Sequence, residues 1–243
     1  MQTQNPELTG TPISAVEEPK YFRILIPLAL LLGLALRLME AVPNYLNPDE
    51  AIHFCRSQPA NWYQISTTKG TAPFFFFFVV HHIQAISNSE VFLRLPFVLS
   101  GVIFPWIIFR WLNRLQFPIA ALFAFFILEF SPNLIALTAQ VRGYALALLF
   151  VSLAIFFLQR SLDLRSIPSL VLSTAFLYLA ILTEFSVALA TGALGAYSLI
   201  VLIRQPRPIH FTIIWILSQF GALALYAFLY QTPMANLLAG PYV

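Results

Sequence analysis

Apolar residues fall into long runs along this chain, and each run ends in a charged or proline-bearing break. Runs of about 20 apolar residues suit helices that cross a bilayer. The pattern predicts spans near 21–41, 91–112, 117–130, 140–160 and 168–183, a sixth ending at Arg204, and a seventh near 209–230. Between the first two spans lies a loop of roughly residues 42–90, where the pattern changes. Pro43, Asn44, Asn47 and Pro48 stop the first helix, because proline lacks a donor and asparagine favours turns. A short amphipathic helix then follows from Asp49-Glu50. The run of phenylalanines at 74–78, followed by His81 and His82, is too short for a comfortable crossing and suits a helix in the headgroup region. A short surface helix is expected over 133–139. The predicted fold class is all-α: a polytopic membrane protein of about seven transmembrane helices, with interfacial helices in the first outer loop.

Composition supports this reading. Hydrophobic residues make up 59% and charged residues 9% of the 243-residue chain, against roughly 45–50% and 25% in ordinary soluble domains. The net charge of +3 is small and dispersed, which argues against nucleic acid as a partner. A single cysteine, Cys55, leaves no internal disulfide and no thiolate cluster. Residues 1–20 are polar and lack the basic segment of a signal peptide, so a flexible cytosolic tail is expected there. Residues 21–243 then form one membrane domain.

Charge fixes an expected orientation. Lys20, Arg23, Arg110, Arg114, Arg160, Arg165, Arg204 and Arg207 fall on alternate turns, whereas Glu40, Asp49, Glu50, Glu90, Glu129 and Glu184 fall on the opposite ones. By the positive-inside rule the N-terminus is cytosolic and the acidic side faces out. At about 1.5 Å per residue, Arg142 stands on the order of 27 Å above Arg160, and Arg94 roughly 24 Å above Arg110. Arg94, Arg142 and Glu184 therefore reach the outer interface that holds Asp49. Arg37 and Glu40, three residues apart, are expected to form a local ion pair.

Such a ring suits group transfer from a lipid phosphate. Arginine recognises a phosphate through its planar fork, and a carboxylate within reach of a hydroxyl can take its proton. Asp49 and Glu50 are the candidate catalytic acids, with Asp49 the sharper choice because its neighbour points to another face of the helix. Asp49 also suits a helix cap at the start of that helix. Arg142, Arg94 and Lys69 are the candidate phosphate contacts. Glu184, Gln140, Tyr144 and Glu129 complete the polar ring.

The order of motifs adds a resemblance. Asp49-Glu50 follows the first span, then come Leu93-Arg94-Leu95-Pro96, Ser131-Pro132 and Gln140-Val141-Arg142-Gly143-Tyr144-Ala145-Leu146. Over about residues 21–202 this resembles the GT-C membrane glycosyltransferases. The narrower likeness is to the PMT-2 or RgtA/B/C/D-like branch, with the protein O-mannosyltransferases and the aminoarabinose transferase of lipid A.

The resemblance implies an inverting transferase that takes a sugar from a polyprenyl-phosphate donor to an acceptor hydroxyl at the outer membrane face. The acceptor is a glycolipid, polysaccharide or protein, and the setting a bacterial inner membrane. It further implies Asp49 as base, Arg142 on the donor phosphate, and a possible divalent metal near Asp49. The chain departs from the family pattern at Thr71-Ala72-Pro73, at Val141 and at Glu184. It also ends after about the seventh span where relatives continue, so an N-terminal module or a truncated, inactive copy is the expectation. A non-catalytic membrane subunit or lipid carrier is the alternative, although carriers favour ionisable groups at the midplane rather than the outer edge.

Overall fold

The computed structural model describes residues 22–42, 45–58, 73–205 and 207–230. Lys69 and the tail at 1–20 lie outside the described residues. The helices are α1 (Phe22–Ala41), α2 (Pro48–Arg56), α3 (Phe74–Ile86), α4 (Glu90–Arg114), α5 (Pro118–Phe130), α6 (Pro132–Thr138), α7 (Gly143–Leu164), α8 (Ile167–Thr183), α9 (Val187–Arg204) and α10 (Ile209–Leu229). Every predicted span is a helix. By length and composition, α1, α4, α7, α9 and α10 can each cross a membrane, and α5 with α6 makes a sixth if the bent pair is one span. The remaining apolar segment, α8, has 17 residues, about 26 Å at 1.5 Å per residue.

The bend between α5 and α6 is 58°. Pro132 opens α6 and Ser131 before it is extended (φ −63°, ψ 119°), as expected of a residue whose helical conformation proline disfavours. Beside this bend is a buried ion pair. Arg37 of α1 donates from Nη1 to Glu129 Oε1 at 2.8 Å and to the Gly33 carbonyl at 3.1 Å, and from Nε to Thr138 Oγ1 at 3.1 Å. Both charged side chains are fully buried. Arg37 therefore pairs with Glu129 rather than with its helical neighbour Glu40, and Glu129 is withdrawn from the polar ring. Two glycines make this possible. A Cβ at Gly33 would overlap the Glu129 carboxylate, and one at Gly101 would lie 3.0 Å from Arg37 Nε.

Helix α3 is no simple surface helix. Phe76, Phe77 and Val80 are buried against Leu93 and Phe97 of α4 and Ala145 and Leu146 of α7. Its polar residues hold the end of α2: Gln84 donates Nε2 to the Phe54 carbonyl at 2.9 Å, and His81 Nδ1 lies 2.9 Å from the Ser57 carbonyl. Thus α2 rests on a packed platform.

The chain alternates direction between spans. The C-terminal ends of α1, α5 and α8 lie at one end of the bundle with the N-terminal ends of α4 and α7. At the other end Arg114 of α4 pairs with Asp163 of α7 at 3.1 Å. If the basic turns are cytosolic, a cysteine at Asn113→Cys will react only with reagent supplied from the cytosolic side. Labelling from the outside alone would reverse the topology.

Candidate active site

The N-terminal turn of α2 is built by Asn47, not by Asp49. Asn47 is the cap residue, Pro48 follows at the first helical position, and Glu50 stands three residues beyond the cap. The Asn47 side chain accepts from Glu50 N at 2.9 Å, and Glu50 Oε2 accepts from Asn47 N at 2.9 Å. This reciprocal capping box satisfies two backbone donors. The helix starts earlier than the sequence reading placed it, so Asp49 is released from capping.

Glu50 does more than cap. Its carboxylate also accepts from Arg94 Nε at 3.3 Å, Arg94 Nη2 at 2.9 Å and the Val141 backbone N–H at 2.7 Å. Arg94 also donates to the carbonyls of Ala41 and Tyr45. Both side chains are buried, at 1% and 3% exposure. The pair ties α1, α2, α4 and the segment before α7 together, with its oxygens and N–H groups turned onto one another.

Asp49 sits on the other side of this turn, 63% exposed, and forms an ion pair with Arg142. The two line a cavity of about 140 Å³ with His53, Phe76, Tyr144 and Glu184. Arg142 is extended (φ −139°, ψ 152°) and immediately precedes α7, so the cavity also receives the N-terminus of a 22-residue helix. Unpaired N–H groups and the helix dipole favour an anion there. Gly143 permits the close approach of α7 to the end of α8, since a Cβ would lie 2.6 Å from the Thr183 carbonyl and 3.0 Å from Glu184 Oε2.

The electrostatics of the cavity are mixed. Burial pushes the Glu184 carboxyl above its ordinary pKa, opposed by the N–H groups of Ser186 and Phe185 and by the charge on Arg142. Burial, then the charge on Arg142, lowers the His53 imidazole below its ordinary pKa. The Nε of Arg142 and Nδ1 of His53 are buried without a partner among the described residues. Among those residues no group of three or more potential metal ligands occurs; Asp49 and Glu184 are the carboxylates at this cavity.

Asp49, Arg142, Tyr144 and Glu184 are thus brought together, while Glu50, Arg94 and Gln140 line a neighbouring cavity. His53 was missed. Its signal was the four-residue spacing from Asp49, which places both on one face of α2.

The family model described as dolichyl-phosphate-mannose-protein mannosyltransferase matches residues 71–230, which takes in α3 to α10 and begins after the Asp49 helix. No curated protein and no solved structure gives a significant match. The match covers well over half of the chain, together with Arg94, Arg142 and Glu184. The chain therefore belongs to the dolichyl-phosphate-mannose-protein mannosyltransferase family, a PMT-2-type family of GT-C membrane glycosyltransferases.

Proposed function

We propose that the protein transfers a sugar from a polyprenyl-phosphate donor to an acceptor hydroxyl at the outer membrane face, with inversion at the anomeric carbon. The observation that carries this reading is the convergence of Asp49 and Arg142 on one cavity at the N-terminus of α7. In the reaction, the Asp49 carboxylate takes the proton of the acceptor hydroxyl as its oxygen attacks the anomeric carbon. The bond from that carbon to the phosphate oxygen breaks, and the polyprenyl phosphate leaves with the electron pair. Arg142 and the N–H groups at the start of α7 stabilise that charge.

The ion pair between Asp49 and Arg142 is the resting arrangement. Exposed pairs of this kind are worth only about 0–1 kcal/mol, so a donor phosphate can displace the carboxylate from the guanidinium. Displacement frees Asp49 at the moment the donor is bound. Glu50 and Arg94 act as positioning residues, fixing the turn that carries Asp49 and the segment that carries Arg142.

Donor binding tests this reading. Arg142→Lys keeps the charge but loses the fork that grips two phosphate oxygens. A labelled polyprenyl-phosphate sugar should bind this variant about tenfold or more weakly, with thermal stability unchanged. Equal affinity would leave Arg142 as the partner of Asp49 alone.

A further inference from the structure

A second cavity, of about 290 Å³, lies against the same turn of α2 and takes no part in the steps above. Glu40, Tyr45, Asn47, Glu50, Arg94 and Gln140 line it. Its one lining cation among the described residues, Arg94, is already bound by Glu50 and by the carbonyls of Ala41 and Tyr45. Among the described residues an anionic ligand therefore meets the carboxylates of Glu40 and Glu50 and no cation other than the engaged Arg94.

What the cavity does offer is neutral hydrogen bonding. Gln140 lines the cavity with an amide that carries both a donor and an acceptor. Asn47 spends its oxygen on the cap and retains its amide N–H groups. Tyr45, 88% exposed, adds an aromatic face at the rim. Amides beside an aromatic ring match a ligand that has hydroxyls around its edge and C–H groups on its face. The volume is near the lower limit of small-molecule sites, roughly 300 Å³, so one ring fits and an oligomer does not. An extended peptide would want main-chain partners, and the two nearby carbonyls are held by Arg94.

Position supplies the role. Glu50 adjoins Asp49 and Gln140 lies two residues before Arg142, so the two cavities flank one turn. Resting on the transferase reading, we propose that this second cavity holds the terminal sugar ring of a neutral glycan acceptor. Gln140 and Asn47 bind its hydroxyls, and Tyr45 stacks on its C–H face.

The test is saturation-transfer NMR on the full chain in lipid nanodiscs, with methyl glycosides of neutral hexoses and N-acetylhexosamines as probes. Methyl glucuronide serves as the anionic control and N-acetylthreonine methylamide as the peptide control. The expected result is transfer to at least one neutral glycoside and none to the glucuronide. That signal should fall about tenfold or more in Gln140→Leu and in Tyr45→Ala, and persist in Arg142→Lys. Tyr45 is so exposed that its removal leaves the fold intact. Signal from the threonine derivative alone would overturn the proposal in favour of a protein acceptor. Displacement of the glycoside by a polyprenyl-phosphate sugar would overturn it too, since the cavity would then take the donor's own sugar. Glycoside binding without any transferase activity would support the cavity and count against the reaction. Transfer to a neutral glycan with unchanged acceptor KM in both variants would sink this proposal and leave the reaction standing.

Discussion

Replacing Asp49 with asparagine is expected to lower sugar transfer by about 10²–10⁴-fold, the usual range for loss of a general base. Because Asn47 and Glu50 cap α2, the substitution has no cap to remove, and the protein should accumulate and melt like wild type. The same change breaks the ion pair with Arg142. With that competitor gone, donor affinity should stay equal or rise. A fall in turnover with retained or tighter donor binding therefore marks Asp49 as the base. A fall in both would instead make the carboxylate part of donor recognition. Full activity in Asp49→Asn would remove it from the chemistry.

Glu50 is expected to behave in the opposite way to its neighbour. Its carboxylate accepts four hydrogen bonds, from Asn47 N, Val141 N and two Arg94 nitrogens. Glu50→Ala takes the carboxylate away from the buried Arg94 guanidinium, and breaking a buried ion pair in this way typically costs about 3–5 kcal/mol. The variant should lose stability to heat and to harsh detergent before any effect on chemistry can be read. Glu50→Gln keeps the shape and some of the bonds, so it should lose less, yet more than Asp49→Asn. The sequence reading expected Glu50→Gln to impair transfer less than Asp49→Asn, and the buried pair adds an expected loss of stability to the Glu50→Gln variant. A Glu50→Ala protein with wild-type melting behaviour would contradict the account of this turn.

The helices were legible because long apolar runs and proline breaks act locally. The bend at Ser131-Pro132, the start of α7 near Gly143 and the interruption at Glu184 all fall where the sequence marks them. Partners were harder to read. Arg37 reaches a residue 92 positions away rather than Glu40, because Gly33 and Gly101 open space for the guanidinium, and periodicity says nothing of glycine packing between helices. Asp49 and Glu50 are adjacent in sequence and looked like a pair. A helical turn sends adjacent side chains to different faces, so one meets Arg142 and the other Arg94. The capping assignment missed because Pro48 moves the helix start ahead of the acids. His53 lay beyond the sequence reading because its neighbours at the site, Phe76 and Phe77, whose rings lie 5.0 and 5.6 Å from its own, come from a different helix.

The central claim is that this cavity transfers a sugar from a lipid phosphate. The most direct measurement is release of polyprenyl phosphate from a labelled polyprenyl-phosphate sugar by the purified protein, with the anomer of the product determined in the same reaction. The account predicts release that depends on an added acceptor and on Asp49, with the new bond inverted relative to the donor. No release by a folded wild type that binds the donor, or a product of retained configuration, would contradict it.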